Sequence, residues 1–323
     1  MQIAARYRAA IPGIFPDRAT CRAGSGLRQH SPKGRAMYRK NSLPYVFLVP
    51  TILILMVLAF VPLGYAINLS FKNMTLFRPD SQYVGFDNFI TLWSDRRFLN
   101  ALWVSAKWQV ITVTATMVAV IVMGILMFET LPPRQRNILC PIFLIPVLLP
   151  RVCAAFVWRF AFHPLYGIFT YPNRAITGEP LEILSNPNLA LWAVAYVDLW
   201  QWGFFFAVIM VKLLEALPHQ PIEAARLDHA KTWEIHAYVT LPMLRAQIVA
   251  LTLVKAIESL RSFDLIYIMT RGGPGISTET LDMYAFSQGF IESGRISYAS
   301  SMAVIMLLLT IVIFTWIWKR VRA

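Results

Sequence analysis

Residues 223–244 read EAARLDHAKTWEIHAYVTLPML and lie between two long apolar runs. Glu223, Arg226, Asp228, Lys231 and Glu234 crowd charge into a chain that is 57% hydrophobic and only 15% charged. A mean hydropathy of +0.54 lies outside the range of ordinary soluble domains. The flanking runs therefore read as membrane spans, and the polar stretch as a loop between two of them.

Working outward from that loop, apolar runs recur at 44–68, 101–128, 138–162, 189–214, 244–270 and 296–318. Each reaches the roughly 20 residues needed to cross the hydrocarbon of a bilayer. Backbone groups in lipid must bond within the protein, and continuous runs imply helices rather than the alternating strands of a barrel. The expected fold class is an all-α polytopic membrane protein with six transmembrane helices. One membrane domain covers 44–323, behind a basic tail over 1–43. Pro50, Pro62, Pro146 and Pro150 fall inside the runs and predict kinks.

Charge placement sets the orientation. With the N-terminus inside, 18 of the 30 Lys and Arg residues fall in inside segments and seven in outside segments. Both termini and the 223–244 loop are thus expected in the cytoplasm. Much of the +13 net charge sits in residues 1–36, where seven basic residues face Asp17 alone. It marks a tail, not a nucleic-acid surface. The tail lacks helical periodicity and reads as disordered. It has no apolar signal core, so the first span serves as an uncleaved anchor, and translation from Met37 is an equal alternative. Cys21, Cys140 and Cys153 lie in the tail and the third span, so no disulfide framework is implied.

The loop itself reads as two short helices joined by a turn. Pro218 and Pro221 open the first. Ala224 and Ala225 leave one face nearly flat, while Trp233, His236, Ala237 and Thr240 recur at helical spacing in the second. Such an Ala face flanked by charges suits docking into a partner's groove, although composition alone would also fit a plain solvated loop. The order Glu223-Ala224-Ala225, His229-Ala230, then Leu241-Pro242 resembles the EAA loop of binding-protein-dependent ABC importer permeases. VGFDNF at 84–89, PNLALW at 187–192, FDLIYIMTRGGPG at 263–275 and STETL at 277–281 extend the likeness over roughly residues 44–318. It is most marked toward the sugar-uptake permeases of the maltose and glycerol-phosphate type.

That resemblance implies a permease subunit of the bacterial inner membrane. It would translocate a sugar, oligosaccharide, polyol or related solute delivered by an external binding protein. The resemblance also implies that Glu223, Ala224 and Ala225 dock on a cytoplasmic ATPase dimer, that Leu241-Pro242 ends the unit, and that a second permease completes the pathway. The family carries Gly where this chain has His229, and Gly adopts positive φ more cheaply. Either the turn is helical or His229 makes a compensating bond. No G-x-x-x-x-G-K-[ST] loop occurs, and Gly272-Gly273-Pro274-Gly275 reads as a tight outer turn. The chain is therefore not expected to be an enzyme or to carry a cofactor; ATP and Mg²⁺ belong on the ATPase.

Within the fifth run, Lys255, Glu258, Arg261 and Asp264 recur at steps of three. A charge at mid-bilayer costs about 2.5–3.5 kcal/mol, so these residues must face a cavity or one another. Lys255, Glu258, Ser259 and Ser262 share a helical face. They are either pairs that neutralise each other or a stripe along the translocation pathway, and the resemblance favours the stripe. Arg151, Asp198 and Gln201 are the other deep polar residues, with Trp202 a platform for the C–H face of a sugar. The balance of basic and acidic groups suits an uncharged polyhydroxy ligand. An ion-coupled secondary transporter working through Glu258 and Asp264 is the alternative, which the loop and the missing inverted repeats disfavour. His229 and His236 lack a third metal ligand and read as loop histidines. Lys107, Arg159 and Glu129 are expected to snorkel from span ends.

Overall fold

The computed structural model describes residues 43–322; the basic tail, the alternative start at Met37 and Cys21 lie outside them. Helix α1 (Leu43–Ser70) leads into a hairpin of β1 (Lys72–Thr75) and β2 (Arg78–Tyr83), then α2 (Asp87–Ser94) and α3 (Arg96–Thr130). Next come α4 (Pro133–Phe143), α5 (Ile145–Leu148), α6 (Arg151–Ala161), α7 (Tyr171–Thr177) and α8 (Ala190–Glu215). The polar loop folds as α9 (His219–Leu227), α10 (Thr232–Ile235), a π-helical turn His236–Thr240 and α11 (Leu241–Met243). The chain continues through α12 (Arg245–Ser259), α13 (Phe263–Met269), α14 (Leu281–Phe286), a second π-helical turn Ser287–Ile291, and α15 (Ile296–Arg322). The chain divides into two compact units at Leu55–Met56; the described residues of the first are the opening turns of α1.

Among the described residues, four helices are long and apolar enough to cross a membrane: Leu48–Ser70, Arg96–Thr130, Ala190–Glu215 and Ile296–Thr315. Two further spans are bent pairs, Pro133–Leu148 with Arg151–Ala161 at 90° and Thr232–Met243 with Arg245–Ser259 at 74°. The third run is therefore not the continuous helix expected over 138–162, and the fifth, whose 74° bend falls at its first residue Leu244, is interrupted within 244–270 after Ser259. Pro150 explains the first break, because a residue before proline is pushed out of the α region. Leu149 accordingly sits at φ −73, ψ 131. Gln201 in α8 donates to the freed Leu149 carbonyl at 2.8 Å, which supplies the bond that the break removed. In the fifth run α12 stops at Ser259, and Leu260 to Ser262 link it to α13.

A second departure from an all-α chain is the hairpin, paired Lys72↔Tyr83 and Thr75↔Arg78 with an irregularity between Asn73 and Thr75. Its base is held by Asn88 of the VGFDNF motif. The Asn88 amide is buried and donates to the Ser70 and Lys72 carbonyls at 2.9 and 2.8 Å. Gly85, at φ 62, makes the turn that lets its own N–H reach Phe71 O.

The buried stripe of α3 runs Phe98, Ala101, Val104, Trp108, Thr112, Thr116, Val120, Gly124 and Met127. Steps of three and four place these residues on one face, and that face packs along α8. In lipid such packing rests on close van der Waals fit rather than water release, so small residues matter. Gly124 lets α8 approach closely: a Cβ there would fall 2.6 Å from Met210 Cγ.

At the hairpin end, Asp95 caps α3 by accepting from Arg97 N at 2.8 Å. The same carboxylate accepts from the Tyr284 and Tyr298 hydroxyls at 2.5 and 2.8 Å, drawing α14 and α15 onto α3. Arg97 meanwhile bridges Glu279 at 2.7 Å and Glu292 at 2.8 Å. Burial pushes the Asp95 carboxyl up, but its hydrogen bonds from Tyr284, Tyr298 and the backbone outweigh that and hold it below the ordinary aspartate value. The hydrogen bonds from Arg97 likewise hold Glu292 low. A carboxyl depressed in the folded state stabilises it above the unfolded pKa, and that stabilisation is lost as pH falls through the folded value. In thermal melts of the detergent-solubilised protein, Asp95→Asn should lower Tm at neutral pH. The gap to wild type should close as pH drops below 3.8. A gap that stays constant with pH would show that the carboxylate charge does not hold this clamp.

Candidate functional site

Two groups of side chains stand apart from the apolar packing. The first lies where both broken spans meet α8. Lys255 and Asp198 are fully buried, and their Nζ and Oδ2 atoms are 2.6 Å apart. Lys255 also reaches Glu258 Oε2 at 2.7 Å, one turn along α12. Arg151, the first residue of α6, reaches Asp198 Oδ1 at 2.9 Å and also donates to Glu258 and to the Arg261 carbonyl. Two cations and two carboxylates thus close a neutral four-membered network. Its position follows from the backbone: Arg151 sits just after the Pro150 break, and the Arg261 carbonyl belongs to the link that interrupts the fifth run. One reading of the charge stripe had pairs within the helix. Lys255–Glu258 is such a pair, and Arg151 and Asp198 tie it across two other helices.

Beside the network lies an open cleft of about 460 Å³, lined by Arg151, Trp202, Val254, Ile257, Glu258, Arg261 and Asp264. The Trp202 indole N–H is buried and has no partner among the described residues. The Lys255 ammonium stands 6.0 Å from the Trp202 ring centroid. Gln201 is 2% exposed and serves the Leu149 carbonyl. Ser259 and Ser262 are both buried. The Ser259 hydroxyl pairs with Thr112 of α3 at 2.6 Å, and its carbonyl accepts from Trp108 at 3.0 Å. Of the eight pathway candidates, the structure brings Arg151, Trp202 and Glu258 to the cleft, with Asp198 and Lys255 behind them. It turns Ser259 toward α3 and places Ser262 at the start of α13.

The second group is the loop. No residue of α9 is buried; Glu223 and Ala224 are exposed and Ala225 is half-buried. Leu227, Trp233 and Tyr238 add apolar surface at 81%, 59% and 73% exposure. Glu234 reaches back to the Lys231 N–H at 2.7 Å and so caps α10. At the other junction His229 has φ 56, so the turn is left-handed and not helical. His229 N donates to Arg226 O and Ala230 N to Ala225 O, both at 3.1 Å. That pair of bonds is the Schellman motif, with His229 at the position where glycine is favoured. The compensation is thus made by backbone bonds around His229. Leu241-Pro242 forms α11, which runs to the 74° bend into α12. Pro242 needs no internal bond there because it lies in the first turn of that helix.

Sequence reasoning missed what joins these groups. Glu129, expected to snorkel, pairs with His236 at 2.9 Å, while Arg159 donates to Ile268 O at 2.7 Å and Lys107 lies over the Trp103 ring. His236 is buried and His229 exposed, so the two do not share a face. Gln109 donates to Ala256 O at 2.8 Å, another grip of α3 on α12. The polar Trp108, Gln109 and Thr112 in an apolar run were the available signal. Gly272-Gly273-Pro274-Gly275 does form a tight turn, with Arg271, Gly272 and Gly275 at positive φ.

The model of the family described as "Binding-protein-dependent transport system inner membrane component" matches residues 120–322. The trehalose/maltose transport system permease protein MalF of Thermococcus litoralis is 27% identical over 284 residues, 88% of this chain and 95% of the relative. The sn-glycerol-3-phosphate transport system permease protein UgpA of Escherichia coli is 27% identical, over 89% of this chain and 98% of its own. A chain from the crystal structure of a bacterial ABC transporter that imports the acidic polysaccharide alginate superposes with a TM-score of 0.78. That match is 18% identical and covers 88% of this chain and 96% of the other, so it speaks for the fold.

Two outcomes follow from the geometry. Lys255→Met leaves Asp198 and Glu258 buried with one cation between them, a change that typically costs about 3–5 kcal/mol. It should lower Tm sharply in detergent, and adding Asp198→Asn should recover much of the loss; a double variant no better than the single would contradict the pairing. His229→Gly removes a left-handed penalty of roughly 1 kcal/mol. It should therefore slow exchange of the Ala230 amide about fivefold, as read by hydrogen exchange.

Proposed function

We infer that this chain, which belongs to the family of binding-protein-dependent transport system inner membrane components, carries a sugar or related polyhydroxy solute along the cleft beside Trp202. It is a multi-pass membrane permease of an ABC importer. Relatives named for trehalose and maltose, sulfoquinovosyl glycerol and glycerol phosphate transport support a polyhydroxy solute. The cleft suits one as well. Arg151, Asp198, Lys255 and Glu258 form a neutral network, and Arg261 and Asp264 at the cleft wall add one charge of each sign, so little net field is left to hold an ion. The half-buried Trp202 ring at the cleft wall offers an apolar face for stacking against a hydroxyl-rich ligand.

The energy enters through the loop. An exposed α9 presenting Glu223, Ala224 and Ala225, squared off by the Schellman turn at His229, is the observation that carries this reading. A cytoplasmic ATPase dimer holding ATP and Mg²⁺ docks there, and the apolar Leu227, Trp233 and Tyr238 broaden the contact. On this reading the loop and both termini face the cytoplasm of a bacterial cell, and an external binding protein delivers solute at the hairpin end. The cleft is open on one side, and a second permease chain closes it. Of the two carboxylates the ion-coupled alternative would use, Glu258 is held between Arg151 and Lys255, which leaves it Asp264 alone at the cleft wall.

Glu223→Lys reverses charge at an exposed position of the docking face. Solute uptake into cells should fall below about a tenth of wild type, equivalent to a docking loss of about 1.4 kcal/mol or more. Copurification of the ATPase chain should weaken in parallel, with the permease still present in the membrane. Normal uptake by Glu223→Lys would remove the coupling role from α9.

A further inference from the structure

Among the described residues the end of α3 has one side-chain hydrogen bond to the loop, beside apolar packing of Ile125 and Phe128 in the cluster that holds Leu241 and Leu244. Glu129 Oε1 lies 2.9 Å from His236 Nε2, and His236 Nδ1 lies 3.0 Å from Thr240 Oγ1. His236 is 4% exposed and begins the π-helical turn. The widened turn brings the Leu241 N–H onto the His236 carbonyl, with Thr240 Oγ1 3.1 Å from the same oxygen. Such a turn is rare and is kept mostly where a side chain must be re-aimed. Around the pair lies a polar cavity of about 90 Å³, lined also by His219, Glu223 and Arg226 of α9.

The hydrogen bonds can be satisfied in either protonation state of the ring. As imidazolium, His236 donates to both Glu129 and Thr240, and the Thr240 hydroxyl turns to the His236 carbonyl. As the neutral ring protonated on Nε2, it donates to Glu129 while the Thr240 hydroxyl turns to donate to Nδ1. The charged and titratable groups facing it are Glu129 from α3 and His219, Glu223 and Arg226 from α9. The tie outlasts a change of protonation, so it works as a fastener and not as a pH switch.

We propose that Glu129 and His236 are positioning residues that form the joint by which displacement of α9 reaches α3 and, through it, the ionic network. The proposal rests on reading α9 as the docking helix. Two mechanical routes lead from the loop to the network. One is the chain itself, through α11 into α12, but it crosses the 74° bend at Leu244. The other is α3, one uninterrupted helix from Arg96 to Thr130. From Glu129 it runs about 26 Å to Thr112, by the helical rise per residue. There Trp108, Gln109 and Thr112 hold Ser259 and Ala256, which flank Glu258 on α12. A straight helix gripped at both ends transmits displacement that a bent junction absorbs.

The test uses the whole transporter, with its ATPase chains, in lipid nanodiscs. Spin labels replace the exposed Val118 on α3 and Ile311 on α15, in a chain whose own cysteines are changed to serine. The readout is the change in label distance on adding Mg²⁺ and a non-hydrolysable ATP analogue. Wild type should show a nucleotide-dependent change. Glu129→Ala and His236→Ala should each shrink it by about half or more. The double variant should shrink it no further than either single, the signature of one joint. Glu129→Gln should restore it, because the Gln amide oxygen still accepts from Nε2–H. ATPase copurification should be unchanged in all four. Should the alanine variants fail to assemble, His236→Gln, which cannot span Glu129 and Thr240 together, repeats the measurement. A full distance change in the alanine variants, or additive losses, overturns the joint while leaving the docking reading intact. Failure of wild type to hold the ATPase overturns the docking reading and the joint together.

Discussion

Lys255 and Asp198, both without exposed surface and 2.6 Å apart, are the contact around which the membrane-embedded part is arranged. An unpaired charge in that setting is expensive, so each partner fixes the position of the other. Asp198 belongs to a continuous helix and Lys255 to a broken one. Arg151 and Glu258 complete the network, and both lie within two or three residues of a break. The two interrupted spans are therefore held at their weakest points by the group that most resists separation. Gln201 performs the same service for the backbone at Leu149.

Around this centre α3 acts as a strut. Its first turn is capped by Asp95 and tied to α14 and α15 through Tyr284 and Tyr298. Its middle grips α12 through Trp108, Gln109 and Thr112, and its last turn meets His236. Between those anchors the contact with α8 depends on small residues such as Gly124, because lipid supplies little drive for helices to associate. Rigid packing along α3 and α8 and soft links at 149–150 and 260–262 divide the fold into parts that hold and parts that turn.

Much of this was legible in the sequence. The six apolar runs correspond to four continuous and two bent spans, and the polar stretch at 223–244 does fold as a helix, a left-handed turn and a second helical segment. The local physics there is dominated by proline, alanine and capping groups, all of which are visible in one dimension. The breaks were less legible. Pro150 announced the first, but the second has no proline; there the Ser259 hydroxyl pairs with Thr112 of α3 and the Arg261 carbonyl accepts from Arg151 of α6. Long-range polar pairs were not legible. Nothing local says that Glu129 meets His236, or that Asn88 will hold the hairpin base, since each choice depends on where α3 ends or where α1 turns. Periodicity placed Ser259 on the face of Lys255 and Glu258, yet α3 claims its hydroxyl, because Thr112 offers the bond that lipid cannot.

The neutrality of the ionic network also constrains how such a chain can move. Separating Lys255 from Asp198 would leave two buried charges, a penalty of several kcal/mol with no water to soften it. Rotation about the links at 149–150 and 260–262 changes the angle between segments and can keep the four groups together. Arg151 in particular reaches both Asp198 and Glu258 with one planar guanidinium and also donates to the Arg261 carbonyl, so it can pivot while giving up fewer bonds than a lysine would. The cleft then widens or narrows on the Trp202 side while the charges behind it stay paired. On the proposed function this is what a carrier of polyhydroxy solutes needs: the wall that meets the ligand moves, and the electrostatics that hold the wall do not.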